Sequence, residues 1–266
     1  MCLILFSFRA HRRFPLVVAA NRDEHYSRPA APAAFWDDHP EIYGGRDLEK
    51  GGTWMGLHRN GRFAAITNFR AGRPGPAAPR SRGELVRTFL AGDADPGRFF
   101  LDAAARNAEY NPYSMLAGDL ETLAFHSNQG DSVLPVTPGV HGLSNHLLDT
   151  PWPKVSSGIE AVAATRVLDD PDAISALLFQ VLSDRSSAAE ATLPDTGIDR
   201  QRERELSPAF IAGDHYGTRT STVLLVHESG DVFVHEKRYG PGGAPLGENA
   251  RAFRLQAVRT GTAVSG

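Results

Sequence analysis

The sequence predicts an α+β protein in four layers: two mainly antiparallel sheets packed face to face, with helices covering each outer face. Three observations carry this. Short apolar runs pair into hairpins, pairs of helical patterns alternate with those hairpins, and the first strands are apolar on both faces, as strands buried between two layers are. The 266 residues are enough to bury a sizeable core, and they read as one domain spanning 1–266.

The elements follow in order. Residues 1–8 and 14–20, rich in Leu, Ile, Val and Phe, flank the charged turn Arg9 to Arg13 and read as a hairpin. Residues 54–57 and 62–67 flank "HRNG", whose Asn60-Gly61 is a strong two-residue hairpin signal. The Pro/Gly/Arg-rich stretch 71–82 reads as a loop. Helical spacing covers 83–91 and 96–109, the latter with Phe99, Phe100, Ala103 and Ala104 on one face. Strands are expected at 113–117 and 122–126, and helices at 155–168 and 171–182. The polar segment 195–206 reads as exposed. Residues 220–226 and 232–235, joined by "HESGD", make a last hairpin.

Composition excludes several classes. A formal net charge of -3 argues against a nucleic-acid partner, which selects a basic surplus. A single cysteine forbids an internal disulfide and a multi-cysteine metal site. The opening apolar run is too short for a signal peptide and has its charges after it, and no stretch is long enough for a membrane span. The expectation is a cytoplasmic protein acting on a small-molecule substrate or ligand. Ten histidines are scattered without ligand spacing, so neither a metal nor a cofactor is expected.

That one cysteine is Cys2, directly behind the initiator. A small side chain there favours removal of Met1, which leaves thiol and α-amine on one residue. With reference pKa values of about 8.5 for the thiol and about 7.7–8.0 for the amine, the amine can take the thiol proton near neutral pH. The plainer alternative is a small buried hydrophobe at a strand start. Asn21, Arg22, Asp23 and Glu24 follow directly on the second strand, across the hairpin from Cys2.

With these residues the sequence resembles the NRDE proteins, related to the transport-and-Golgi-organisation protein 2. The likeness rests on "MC", "NRDE" at 21–24, "GGRDLEKGGTWMGL" from Gly44, "AAITNFR" from Ala64, "GLSNHLLDTPWPKV" from Gly142 and "YGTRTSTVLLV" from Tyr216. Members are described as affecting secretion and Golgi organisation, lipid or acyl-CoA balance, and haem delivery. More distantly, the chain is similar to the choloylglycine hydrolase and penicillin V acylase group, N-terminal nucleophile hydrolases of αββα fold that also begin Met-Cys.

That second resemblance implies roles by position. Asp23 matches an Asp that positions the cysteine, Asn68 and Asn145 match two oxyanion-region Asn residues, and Arg219 matches a late Arg. The group's early Arg falls on Ala20; Arg22, one position before Asp23, either replaces it from another angle or marks a site that has lost hydrolysis. Each residue also has a structural reading: a cap for Asn145, a turn for Asn68, an ion pair between Arg219 and Asp23. Gly44, Gly45, Gly51 and Gly52 lack P-loop spacing and read as turns.

Two functions are implied. One is an N-terminal cysteine hydrolase of an amide or related acyl bond. The other is a non-catalytic carrier of haem or an acyl lipid, with His58, His146 and His215 as candidate haem ligands. Fold alone does not choose between them.

Overall fold

The computed structural model describes residues 2–72, 78–130 and 132–256. Met1, and with it the question of its removal, lies outside the described residues, as does part of the 71–82 loop. The chain order is β1 (Cys2–Phe8), β2 (Leu16–His25), β3 (Ala30–Phe35), β4 (Ile42–Asp47), β5 (Met55–His58), β6 (Phe63–Asn68), α1 (Arg82–Ala91), α2 (Pro96–Ala104), β7 (Tyr113–Gly118), β8 (Leu123–Ser127), β9 (Leu134–Pro135) and β10 (Gly139–Leu143). Then come α3 (Pro153–Ala164), α4 (Pro171–Leu182), α5 (Arg200–Glu205), β11 (Tyr216–Val226), β12 (Asp231–Tyr239) and β13 (Pro245–Arg254).

Among the described residues the strands form two sheets with antiparallel pairings throughout, ordered β10-β1-β2-β11-β12-β13 and β3-β4-β5-β6-β7-β8-β9. The predicted four-layer α+β sandwich is the observed architecture. Alternation along β1 and β2 explains why both strands are apolar on both faces. Ile4, Phe6, Phe8, Leu16, Val18 and Ala20 fill the core between the sheets, whereas Leu3, Leu5, Val17 and Ala19 pack under α3 and α4. Helices α1 and α2 cover the second sheet through Val86, Phe89 and Phe100 against Ala64, Met115 and Ala117.

Local chemistry sets the helix ends. Asp170 accepts from the Asp172 and Ala173 N–H groups, Pro171 opens α4, and Asp95 and Pro96 do the same for α2. Gly158 lets α3 lie hard against β1: a Cβ there falls 2.4 Å from Leu5 Cδ1.

Three expectations are corrected. "NRDE" does not follow β2 but lies inside it, paired with β1 as far as Arg22 and with β11 as far as His25. A strand carries these polar residues because they are satisfied within it: Asn21 donates to the Leu182 and Ala209 carbonyls (2.8 and 2.7 Å) and accepts from Ser221 Oγ (2.6 Å). The helix expected over 96–109 stops at Ala104, with a separate short turn at Asn107–Glu109. Segment 195–206 is not uniformly exposed; it contains α5, whose Glu203 is buried in an ion pair with Arg70 just past β6.

Candidate functional site

Register places Cys2 at the start of β1 directly opposite Arg22 of β2, with Asp23 one residue further on. Alternation turns Cys2 and Arg22 toward the other sheet, while Asp23 shares the helix-side face with Asn21. Across the sandwich, the segment after β10 ties the two sheets together. Ser144 Oγ donates to the Cys2 carbonyl (3.2 Å), Thr67 Oγ1 to the Ser144 carbonyl (2.7 Å) and Asn145 Nδ2 to the Asn68 carbonyl (3.0 Å). These bonds hold the end of β6 beside the start of β1. Cys2, Arg22, Asp23 and Asn68 therefore line one cleft of about 370 Å³.

Burial sets the electrostatics. Cys2 is half-buried, and burial pushes its thiol up, with the Asp23 charge adding and Arg22 and a hydrogen bond from the Asp23 N–H opposing. Burial also raises the Asp23 carboxyl; Lys154, Arg22 and a 2.7 Å bond from Thr218 Oγ1 work the other way. Lys154, at the start of α3, is itself brought down to about 8 by burial, against the pull of Asp23. Its Nζ donates to the Leu206 and Pro208 carbonyls at 3.0 and 3.4 Å. The Arg22 guanidinium is buried, stacked 4.3 Å from the Trp54 ring centroid, and 3.9 Å from Glu24.

Asn145 is fully buried and lines a second lobe of about 360 Å³ that shares Asn68, Arg82 and Asn111 with the first. Phe69, Pro112, Ile198 and Leu206 make this lobe the more apolar of the two. Arg219 lines neither lobe. It sits at the bulge between Thr218 and Thr220 of β11, and its Nη1 donates to the His25 and Arg28 carbonyls at 2.9 and 2.8 Å, fixing the β2–β3 turn.

Sequence reasoning missed Arg82, Lys154, Thr218 and Trp54. The last three lie inside quoted motif blocks and offered a signal. Arg82 sat at the end of a loop and offered none. It reaches the cleft because Gly52 and Gly83 let two backbones touch: a Cβ on Gly52 falls 2.5 Å from the Gly83 carbonyl carbon.

The three haem ligand candidates lie outside both lobes. His215 is exposed, His58 ends β5, and His146 stacks on Phe69 at 4.7 Å; none lines either lobe. No cluster of three metal-ligating side chains occurs among the described residues. No helix among them is long and apolar enough to cross a membrane.

A family profile described as "Transport and Golgi organisation 2" matches residues 1–241. The chain belongs to that family. It is 37% identical to the Transport and Golgi organization protein 2 homolog of Bos taurus, over 96% of this chain and all of the relative. The Homo sapiens homolog is 36% identical over 89% of this chain and 92% of its own. Among solved structures, a mutant conjugated bile acid hydrolase from Clostridium perfringens aligns over 96% of this chain and 92% of its own, with 10% identity and a TM-score of 0.49. A Caenorhabditis elegans N-acylethanolamine-hydrolyzing acid amidase ortholog covers 77% of this chain and 98% of its own, with 12% identity and a TM-score of 0.45.

Proposed function

We propose that this member of the Transport and Golgi organisation 2 family is an N-terminal cysteine hydrolase of an amide or related acyl bond in a small molecule, matured by removal of Met1. The observation that carries the reading is the setting of Cys2: a half-buried thiol at the start of β1 that lines one cleft with Arg22, Asp23 and Asn68. Burial keeps the thiol protonated, so the nucleophile needs a base of its own.

Removal of Met1 supplies that base. The Cys2 α-amine takes the thiol proton, the sulfur attacks the carbonyl carbon, and the C=O electron pair moves onto oxygen. Asn68 and the Asn145 N–H not used by the Asn68 carbonyl donate to that oxyanion. The C–N bond then breaks as the ammonium returns its proton to the leaving nitrogen. Water attacks the thioester with the amine again as base, releasing a carboxylic acid and the free thiol. Asp23 orients the amine, Arg22 favours the thiolate, and Arg219 acts as a positioning residue through the β2–β3 turn.

Intact mass before and after limiting exposure to a thiol-reactive amide mimic tests this. The expected result is loss of Met1 and rapid single labelling at Cys2. Retained Met1, or a cysteine that reacts only after unfolding, overturns the mechanism. The apolar lobe supports a second reading, an acyl-lipid carrier. On that reading Cys2→Ala binds acyl compounds undiminished and the wild type turns none over.

A further inference from the structure

Within the Cys2 lobe most cations are already matched. Arg28 pairs with Asp47 at 2.7 Å, Lys50 with Glu49 at 3.8 Å, and Arg80 with Glu84 and Glu109. Two guanidinium groups differ. Arg22 is 5% exposed, its one ion-pair partner among the described residues is Glu24 at 3.9 Å, and its Nη1 is buried without a hydrogen-bond partner among them. A buried, charged donor left open is costly unless something completes it. Glu24 itself is engaged by the His25 N–H at 2.9 Å. Arg82, half-buried, forms no ion pair among the described residues and spends Nη1 on the Pro112 carbonyl at 3.0 Å. Both residues line the same cleft as Cys2.

Arg82 and Asn68 also border the apolar lobe. A molecule whose reacting carbonyl lies over Asn68 thus meets the Arg22 and Arg82 guanidinium groups in the Cys2 lobe and Phe69, Pro112, Ile198 and Leu206 in the adjoining one. We infer that the cleft selects an amphiphilic anion: a compact oxyanion, carboxylate or phosphate, held between Arg22 and Arg82, with an apolar acyl arm in the neighbouring lobe. Planar guanidinium forks suit both oxyanions, and stacking on Trp54 keeps the Arg22 fork in place. This inference rests on the proposal that the Cys2 cleft is the substrate site, but it concerns recognition and not turnover.

Calorimetric titration of the full-length wild type and of Cys2→Ala separates the two. The probes are N-decanoylglycine, decyl phosphate, neutral decanamide and short N-acetylglycine. At least one decyl anion binds both proteins with about tenfold or greater preference over decanamide, as a charge-assisted pair in a half-buried site supplies. The better of the two anions identifies the headgroup. N-acetylglycine binds at least about tenfold more weakly than N-decanoylglycine, because it leaves the apolar lobe empty. The preference for the anion collapses in Arg22→Gln and, where that buried change impairs folding, in the half-exposed Arg82→Gln.

Decanamide binding as tightly as both anions, or a preference untouched in a folded Arg82→Gln, overturns the inference. Selective anion binding by a wild type that releases no acid from any amide sinks the hydrolase and leaves the recognition intact.

Discussion

Thr218 is the residue through which the fold holds Asp23, and replacing it by valine tests that link. The hydroxyl is fully buried, donates to Asp23 Oδ1 at 2.7 Å and accepts from the Ile211 N–H at 2.9 Å. Valine keeps the shape and removes both bonds. The Ile211 N–H is then buried without that partner, which costs about 1–3 kcal/mol, and the carboxylate loses a bond of about 1.5–3 kcal/mol. The added methyl returns about 0.8 kcal/mol. The expected net loss is therefore about 2–5 kcal/mol, or roughly 6–15 °C in Tm at about 3 °C per kcal/mol for a chain of this size. Thr218→Ser, which keeps the hydroxyl and gives up only a methyl, should lose about 1 kcal/mol. Urea melts with an unchanged m-value read the difference directly. In the valine variant Cys2 alkylation should also slow, because the Asp23 carboxylate is no longer fixed. Equal melts for the valine and serine variants refute the argument that Thr218 acts through its hydrogen bonds.

The remaining predictions use the same contacts. Lys154 has a folded-state pKa brought down from 10.5 to about 8, so its stabilising contribution is complete above 10.5 and is lost as pH falls toward 8. Wild-type stability minus that of Lys154→Met should therefore rise by roughly 3 kcal/mol between pH 8 and pH 10.5, and a flat difference by urea melts contradicts it. Asn145→Ala should cost about 1–3 kcal/mol of stability, through the lost bond to the Asn68 carbonyl. On the hydrolase reading its kcat should fall about 10²–10³-fold, and a kcat within threefold of wild type removes Asn145 from the oxyanion site. Gly158→Ala should lower stability by about 1–3 kcal/mol despite better helix propensity, because the new methyl drives into Leu5; an unchanged Tm shows that α3 can shift freely. On the hydrolase reading Cys2→Ala abolishes turnover of a chosen amide and Cys2→Ser leaves a weak residue; full activity in either variant places the chemistry elsewhere.

Several parts of this protein were legible in the sequence for local reasons. The β5–β6 hairpin follows from Asn60-Gly61, where Gly61 takes the left-handed conformation (φ 91°) that the turn needs. Helix α4 runs over 171–182 as its apolar spacing and its Asp-Pro start dictate. The both-faces-apolar pattern of β1 and β2 announced a strand pair between two layers, and Cys2 beside "NRDE" marked the cleft.

Other parts were decided only by tertiary structure. Strands β3, β4, β10 and β13 are rich in Ala, Gly, Pro or polar residues; they are strands because neighbours offer them an edge to pair with, and no short window records that offer. Arg219 precedes a well-read strand, yet one bulge turns it away from the cleft to the carbonyls of the β2–β3 turn. Arg82, Lys154 and Thr218 come from elements 80 to 216 residues away from Cys2, and a glycine contact, a pair of carbonyls and a bulge bring them in. The sequence by itself determined the layers and placed its one cysteine at the start of the first strand, because these depend on side-chain type and short-range periodicity. The structure decided which charges share the cleft with Cys2, because contacts closed across long loops leave no local pattern to read.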